Sequence, residues 1–318
     1  FTWQAATALV GLGVLVVCMH LRSELLTEPR LARFGMIVCW VMLGAVFLMP
    51  TVANTHRWLS IGGISVQPSV LARIALTVYT AIELQAAARE GWPVRRLSAL
   101  AAAAFGTAVL IVLEPDLGSA TLIVLIVAGM AFVAGMPVKL FAAPTVVSLV
   151  ALVVAVVSSP YRLGRVRAFL GGGASTTVGW QSDQSLVALG SGGLFGRGYG
   201  SGLQKLFFLP EPHTDFIFSI TGEELGLVGV LVLVSLATII VWRGLRISLK
   251  IEAPARSLLA FGLTFSFAVQ TLIHMVVCLN LLPPKGIPLP LVSYGKTDLV
   301  VSLMAVGMLL NLSREVAS

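Results

Sequence analysis

Apolar runs of about twenty residues dominate this chain and limit what it can fold into. Each run is long enough to cross the hydrocarbon core of a bilayer as one α-helix. Because 57% of the residues are hydrophobic and only 11% are charged, the sequence predicts an all-α polytopic membrane protein and excludes a soluble domain. We expect a single integral membrane domain over residues 1–318. The predicted spans are 3–21, 33–49, 68–88, 97–113, 118–134, 138–158, 216–242, 256–280 and 291–312.

The orientation of these spans follows from the distribution of Lys and Arg. Basic residues collect in the connections after the first, third, fifth and seventh spans and after the ninth, with Arg22, Arg89 and Arg243 among them. The positive-inside rule makes that face cytoplasmic, so the first span runs from outside to inside. The net charge of +7 therefore encodes topology, and we expect no nucleic-acid partner.

The long connection at 159–214 is predicted to lie outside the cytoplasm, within the same membrane domain. Loops of this length in compact proteins are usually functional. Its first part, 161–170, predicts a short amphipathic helix at the membrane interface. Its middle, 190–202, is dense in glycine, which indicates either a flexible hinge or a cradle for an anionic ligand.

One aspartate, Asp215, stands where this connection enters the seventh span, in the stretch Leu-Pro-Glu-Pro-His-Thr-Asp-Phe. An ionisable group at a membrane edge is a functional candidate, because burying it without a partner is costly. The residues leave two interpretations open, a catalytic base and a helix N-cap. Glu223 and Glu224 lie deeper in the same span, where we expect them to pair with Arg, Lys or backbone groups.

Two further motifs place charge at the outer ends of spans. In Glu114-Pro-Asp-Leu-Gly, the proline ends one helix and Asp116 is suited to cap the next. Arg57-Trp58 precedes the third span, and Arg73 lies within it. An arginine inside a span needs an anionic partner, or it must extend its side chain to the lipid headgroups.

The stretch 283–295 is rich in proline and glycine and predicts an extended re-entrant loop at the ninth span. Lys296 and Asp298 follow it, which is more charge than a lipid-facing helix carries. We hypothesise that Asp298 pairs with Arg73, either directly or in a hydrated cavity beside Asp215. Extension of the arginine to the headgroups is one alternative. The other alternative is a pair with an acid of the preceding motif, Glu114 or Asp116.

The cysteines and histidines predict no metal site. Cys18, Cys39 and Cys278 all fall in predicted spans and have neither pairing nor metal-binding spacing, so we expect small buried side chains. The four histidines are too scattered for a metal site of the usual i, i+4 kind.

In their order and spacing these motifs resemble the signature of the SEDS family, the RodA, FtsW and SpoVE group of cell-wall polymerases. The resemblance covers nearly the whole chain. It aligns the first residues with the family's second helix, so it implies that nine of ten transmembrane helices are present. The matching pieces are Arg57-Trp58, Gln67-Pro-Ser69, 114–118, 184–198, 209–229 and 293–295.

The resemblance implies a membrane glycosyltransferase that polymerises lipid II, an undecaprenyl-pyrophosphate-linked disaccharide peptide, into peptidoglycan glycan strands. It implies a place in the bacterial cytoplasmic membrane, an active site that faces outward, and Asp215 as the catalytic residue. It also implies a class B penicillin-binding protein as partner, in addition to the surrounding membrane lipids.

Three departures distinguish this chain from the family pattern. Val70 stands where the family usually has glutamate, and Arg73 where it usually has lysine. Lys296-Thr-Asp298 replaces the usual glycine and serines, so Asp298 could supply the lost carboxylate. Residues 284–286 favour the FtsW branch.

Extending a glycan requires a base for the acceptor's 4-hydroxyl and positive charge for the leaving pyrophosphate. A divalent cation is a further candidate for the second task, although no ligand set is visible and no cofactor is assigned. The candidate substrate-binding residues share the predicted outer face: Arg57, Arg73, Asp116, Arg162, Arg165, Arg197, Lys205, Lys285 and Ser293.

Buried charges and broken helices also serve transport, so a lipid II flippase is the alternative function. Polymer made from lipid II in detergent distinguishes the two, because no membrane remains to be crossed. A scaffold for division proteins leaves the charged residues of the outer face unexplained.

Overall fold

The computed structural model describes residues 2–50, 56–61, 64–170, 177–207, 209 and 211–317. This part of the chain is mostly helical, with one small antiparallel hairpin of β1 (Leu59–Ile61) and β2 (Ile64–Val66). The helices are α1 (Thr2–His20), α2 (Ser23–Leu26), α3 (Pro29–Ala45), α4 (Pro68–Arg89), α5 (Val94–Leu113), α6 (Leu117–Val133), α7 (Val138–Val157), α8 (Pro160–Leu170), α9 (Thr177–Ser191), α10 (Gln204–Phe207), α11 (Ile217–Lys250), α12 (Pro254–Cys278) and α13 (Lys296–Ala317).

Each predicted span is matched by a helix. Seven helices among the described residues are long and apolar enough to cross a membrane: α3 with the 3₁₀ turn Val46–Leu48, α4, α5, α7, α11, α12 and α13. The apolar stretches of α1 and α6, Gln4–His20 and Leu117–Val133, are shorter. They lie near the lower limit of about 17 residues for a spanning helix. The prediction of an all-α polytopic membrane fold is confirmed.

The ninth span differs most from its prediction, which is wrong at its start. α13 begins at Lys296 rather than at 291, because residues 289–293 form a turn. In this turn the Ser293 N–H donates to the Leu289 carbonyl at 2.9 Å, and Leu291 has a φ of 66°. A left-handed φ interrupts a right-handed helix. Hydropathy does not distinguish an apolar turn from an apolar helix.

The chain forms two compact units. The first comprises Phe1–Leu152, Trp242–Ser266 and Lys296–Ser318, and the second comprises Val153–Val241 and Phe267–Gly295. The single membrane domain over 1–318 stays a prediction. In the first unit, α4 packs against α3, α5, α6 and α13. The core there is built from fully buried aliphatic side chains such as Leu43, Leu76 and Ile111.

In the first unit α1 lies along α13. An added Cβ at Gly307 would come within 2.5 Å of the Leu15 carbonyl oxygen, so the two backbones approach closely. Small residues permit such contacts between membrane helices. Asn311 donates from Nδ2 to the carbonyls of Cys18 and Leu21, at 2.9 and 2.6 Å. Asn311 thereby supplies a hydrogen-bond donor for carbonyl groups at the end of α1 that have no partner within the helix.

The second unit contains α8, α9, α10, most of α11 and the second half of α12. α8 confirms the predicted helix at 161–170, whereas residues 171–176, 208 and 210 of the long connection lie outside the described residues. Phe216, Phe218 and Ile220 pack with Ala188 of α9 and Cys278 of α12 in one buried cluster. This cluster anchors the entry into α11.

The glycine segment, residues 192–198, packs against a break in α11. At the break Gly226 has a φ of 67° and a ψ of −165°. The N–H of Leu227 donates to the Gly193 carbonyl at 2.9 Å, and the N–H of Arg197 donates to the Glu223 carbonyl at 3.0 Å. The segment therefore supplies partners for backbone groups that the broken helix leaves open. The hinge and the anion cradle for residues 190–202 stay predictions.

Candidate active site

The Asp215 turn, residues 211–216, leads into α11. Asp215 is half-buried, and its backbone N–H donates to the Glu211 carbonyl at 3.0 Å. The Phe216 carbonyl accepts from the Ile220 N–H at 3.1 Å, and α11 begins at Ile217. Phe216 therefore holds the N-cap position, and Asp215 precedes it. The N-cap interpretation of Asp215 does not match this position.

The proline loop, residues 283–295, holds the Asp215 turn through backbone contacts. Ser293 Oγ donates to the Thr214 carbonyl at 2.7 Å and accepts from the Leu289 N–H at 2.8 Å. The Tyr294 N–H donates to the His213 carbonyl at 2.8 Å. Ser293 is thus placed to fix the turn that carries Asp215.

The proline loop also passes beside the Asp215 carboxylate. An added Cβ at Gly286 would stand 3.1 Å from Asp215 Oδ2, so the loop backbone is close to that oxygen. Lys285 is the adjacent residue, and Arg165 of α8 donates from Nη2 to the Pro284 carbonyl at 2.7 Å. The structure therefore brings two candidate cations to the part of the loop nearest Asp215.

Glu223 and Glu224 of α11 hold the residues that follow the glycine segment. The Glu223 carboxylate is fully buried and accepts from the backbone N–H groups of Leu203 and Gln204, at 2.8 and 3.2 Å. Glu224 accepts from Lys205 Nζ at 2.6 Å. The expectation that these acids pair with basic or backbone groups is confirmed.

The other candidate cations of the second unit also contact acids or carbonyl groups of the protein itself. Arg197 lies 3.9 Å from Glu223, and Lys205 bonds to Glu224. Arg162 donates from Nη1 to the Ala155 carbonyl at 3.1 Å, near the end of α7. These contacts associate Arg197 and Lys205 with the buried acids of α11 rather than with the proline loop.

In the first unit, a polar cluster joins the start of α4 to the break between α5 and α6. Arg57 donates to the carbonyls of Glu114, at 3.2 Å, and Pro115. Asp116 caps α6 by accepting from the Ser119 N–H at 3.1 Å, as predicted. Gln67 Nε2 donates to Asp116 Oδ2 at 3.3 Å.

The hypothesis that Arg73 pairs with Asp298 is confirmed. Arg73 Nη2 lies 3.1 Å from Asp298 Oδ1, and both residues are less than a tenth exposed. The alternatives of a Glu114 or Asp116 partner, or of extension to the headgroups, are not needed to explain this arginine. That the pair lies beside Asp215 stays a prediction.

Glu114 is a buried acid, considered from the sequence only as an alternative partner for Arg73. It lies in the connection between α5 and α6, and within the described residues neither carboxylate oxygen has a hydrogen-bond partner. Burial first, and the charge of Asp116 next, raise the pKa of Glu114 to about 8, although Arg57 opposes the shift. Its carboxyl group is therefore mostly protonated at neutral pH.

Two polar residues of α12 hold the proline loop and were not among the sequence candidates. Gln270 Nε2 donates to the Pro288 carbonyl at 2.8 Å, and His274 Nδ1 lies 2.8 Å from the Ile287 carbonyl. Their i, i+4 spacing in an otherwise apolar span is the signal that could have found them, because such polar residues are costly in a membrane unless they bond.

The described residues offer no metal-ligand cluster: no three His, Cys, Asp or Glu side chains within them are grouped as a metal ion requires. No step of the reaction is assigned to the divalent cation considered from the sequence. Cys18, Cys39 and Cys278 are free and buried, as predicted.

Comparison with known sequences connects this geometry to a family. The model of the FtsW, RodA and SpoVE family, described as cell cycle protein, matches residues 1–318. A probable peptidoglycan glycosyltransferase FtsW of Geobacter sulfurreducens is 38% identical, over 98% of this chain and 84% of its own length. Stage V sporulation protein E of Bacillus subtilis is 36% identical, over 96% of this chain and 84% of its own.

Solved structures of similar proteins also superpose on this chain over nearly its whole length. A chain from a peptidoglycan synthase complex, described for its coordination of polymerization and crosslinking, superposes with a TM-score of 0.78 at 25% identity. The match covers 98% of this chain and 89% of that one. Thermus thermophilus RodA superposes with a TM-score of 0.71 at 26% identity, over 100% of this chain and 88% of RodA. This chain belongs to the FtsW, RodA and SpoVE family of cell cycle proteins.

Proposed function

We propose that this multi-pass membrane protein is a peptidoglycan glycosyltransferase that polymerises lipid II, with Asp215 as its general base. The enzyme class is that of its FtsW relatives, about 37% identical over most of the chain. The observation that carries the role of Asp215 is how its turn is held. Ser293 and Tyr294 bond to backbone carbonyls of the turn, and an added Cβ at Gly286 would stand 3.1 Å from Asp215 Oδ2, so the proline loop fixes the turn and passes beside the carboxylate.

The chemistry requires one proton transfer and one displacement. The 4-hydroxyl oxygen of the acceptor sugar attacks the anomeric carbon of the lipid-linked donor while its proton passes to the Asp215 carboxylate. The bond between the anomeric carbon and the pyrophosphate oxygen breaks, and the electron pair leaves with the lipid pyrophosphate. A positioned base contributes on the order of 10²- to 10⁴-fold to such a step.

Arg165 and Lys285 are the cations we assign to the leaving pyrophosphate. Both belong to the surroundings of the proline loop next to Gly286, which lies beside the Asp215 carboxylate. Arginine binds phosphate through two N–H groups and lysine as a point charge, and both stabilise the negative charge that develops on departure. Ser293 positions the turn. The remaining candidates stay predicted substrate contacts: Arg57, Arg73, Asp116, Arg162, Arg197 and Lys205.

The setting of the reaction is part of the proposal. Lipid II is displayed at the outer face of the bacterial cytoplasmic membrane, and the distribution of basic residues supports an Asp215 that faces outward. A class B penicillin-binding protein is the proposed partner. The similarity to a chain of a synthase complex described for polymerization and crosslinking supports such a partner.

The test is polymer formation by purified protein and lipid II in detergent. We expect the wild-type protein to make glycan polymer and Asp215→Asn to lose on the order of 10²-fold or more in rate, because the amide cannot accept the proton. Asp183→Asn, which changes an exposed aspartate of α9, should keep the wild-type rate. Absence of polymer from the wild-type protein, together with lipid II transfer across vesicles, would instead favour the flippase.

A further inference from the structure

The proline loop makes a tight turn beside the Asp215 carboxylate. The Ile287 N–H donates to the Lys285 carbonyl at 2.9 Å, which closes a three-residue γ-turn with Gly286 at its centre. An added Cβ at Gly286 would stand 3.1 Å from Asp215 Oδ2. The centre of this γ-turn, residues 285–287, therefore lies next to the carboxylate that we assign as the general base.

One face of α12 holds the carbonyl groups that follow Gly286. His274 Nδ1 lies 2.8 Å from the Ile287 carbonyl oxygen, and Gln270 Nε2 donates to the Pro288 carbonyl at 2.8 Å. Gln270 and His274 are four residues apart, so they lie on the same face of the helix. The γ-turn is thus fixed to α12 directly after its centre.

The same face of α12 also contacts the Asp215 turn. Cys278 is four residues after His274, and its Sγ donates to the Asp215 carbonyl at 3.8 Å. An S–H group is a weak donor, but Cys278 is also fully buried with Phe216 in the cluster at the entry into α11. One row of side chains on α12 therefore contacts both the γ-turn and the Asp215 turn, and all of these groups belong to the second unit.

His274 is held as a neutral ring with one defined proton position. Its side chain is almost completely buried, and the carbonyl beside Nδ1 only accepts, so Nδ1 carries the proton. Nε2 is buried and has no hydrogen-bond partner within the described residues. A second proton at Nε2 would bury a positive charge without a hydrogen-bond partner, which is costly. His274 therefore serves as a donor to the loop and not as a proton carrier in the reaction.

We propose that His274 is a positioning residue for the glycosyltransferase reaction, and that its Nδ1–H sets the distance between the γ-turn and the Asp215 carboxylate. This inference rests on the proposed function. His274 touches no substrate and acts through the Ile287 carbonyl. Its bond keeps the loop backbone at Gly286 against the base, and with it Lys285, the cation assigned to the leaving pyrophosphate.

Removing the donor should lower the rate per folded molecule. A displacement of about 1 Å between reacting groups can cost on the order of 100-fold, so we expect His274→Leu to lose about 10- to 100-fold in kcat. KM for lipid II should change little, because His274 makes no contact with the bound substrate.

An asparagine at this position separates the donor from the ring. The amide nitrogen of asparagine is as many bonds from Cα as Nδ1 of histidine, so His274→Asn can still donate to the Ile287 carbonyl. Leucine has the branching of asparagine and no donor, so the two variants differ mainly in this hydrogen bond. His274→Asn should therefore keep most of the wild-type kcat.

Asn311→Leu is the matched control for a loss of stability alone. Asn311 also donates from a buried side chain to backbone carbonyls, those of Cys18 and Leu21, and it belongs to the first unit. Its replacement should lower the melting temperature without lowering the rate per folded molecule.

The experiment measures kcat, KM and melting temperature of these variants in the full chain with lipid II in detergent. A slow His274→Leu beside an active His274→Asn supports the proposal. If His274→Leu does not fold, His274→Met takes its place, because methionine also lacks the donor and adapts to irregular space.

Three results would overturn the proposal: a wild-type kcat in the folded variant without the donor, a His274→Asn as slow as that variant, or an equal loss of rate in Asn311→Leu. An inactive wild-type protein would overturn the proposed function instead, so the two failures are distinguishable.

Discussion

The Asp215 turn and the acidic pair Glu223-Glu224 of α11 show two ways in which a membrane protein uses a carboxylate. At Glu223 and Glu224 the carboxylates themselves hold the structure, since they accept from Leu203, Gln204 and Lys205. At the Asp215 turn, the proline loop does this through Ser293 and backbone groups. The difference teaches that an acid at a membrane edge is a catalytic candidate when other groups hold its segment in place.

The largest effect on stability should come from the glycine segment. Gly196 has a φ of 78°, and an added Cβ there would overlap the backbone of Glu224. Gly196→Ala should cost about 1–2 kcal/mol for the left-handed conformation and about 1–3 kcal/mol more for the overlap. Thermal denaturation in detergent measures the loss.

Gly193→Ala is the matched control for that prediction. Gly193 has a φ of 56°, and an added Cβ there would meet nothing within 4 Å. It should therefore show the conformational cost alone. Equal shifts in melting temperature for the two variants would mean that the close approach at Gly196 does not stabilise the break in α11.

A smaller effect is expected at Glu223, and it sharpens the contrast with Asp215. Glu223→Gln keeps one carbonyl oxygen for the N–H groups of Leu203 and Gln204 and loses the negative charge. Hydrogen bonds to charged groups contribute about 1.5–3 kcal/mol, so the melting temperature should fall. The polymerisation rate per folded molecule should stay near the wild-type value. A catalytic role for Glu223 would appear as a lost rate at unchanged stability.

The smallest effect concerns Glu114, a third kind of acid, buried and mostly protonated at neutral pH. Its pKa is raised from 4.5 to about 8, so the folded state holds a proton that the unfolded state releases between those values. Its contribution to stability is fully present below about pH 4.5 and is lost as the pH rises through about 8. Melting temperatures measured from pH 5 to 9 should therefore decline partly through this group.

Glu114→Gln provides the control for this pH dependence. The amide resembles the protonated acid in shape and does not titrate, so the variant should be as stable as the wild-type protein at low pH and more stable at high pH. Parallel curves for the two proteins would mean that Glu114 does not hold a proton in the folded state.

The sequence predicts most of the helices and part of the site, and the reason is physical. Spans such as α4 and α12 follow from hydropathy because a bilayer requires long apolar helices. The Arg73–Asp298 pair could be anticipated because a charge in a span needs a partner. The same requirement predicts basic or backbone partners for Glu223 and Glu224 of α11.

The rest depends on contacts between distant segments. The backbone bonds from the glycine segment to the break at Gly226 leave no local pattern, since any residue type provides the same N–H and carbonyl groups. The turn at Leu291 is as apolar as the helix that follows it, so hydropathy alone predicts that the ninth span begins at 291, whereas α13 begins at Lys296. The closeness of Gly286 to Asp215 is likewise a property of the fold and not of either motif.

The most direct test of the central claim compares Asp215→Asn with Glu223→Gln in one assay. Initial rates of glycan polymer formation from lipid II in detergent are measured at equal concentrations of folded protein, beside wild type. If Asp215 is the general base, Asp215→Asn makes no polymer above background at an unchanged melting temperature, whereas the less stable Glu223→Gln keeps a near wild-type rate. A near wild-type rate for Asp215→Asn would show that Asp215 is not the general base.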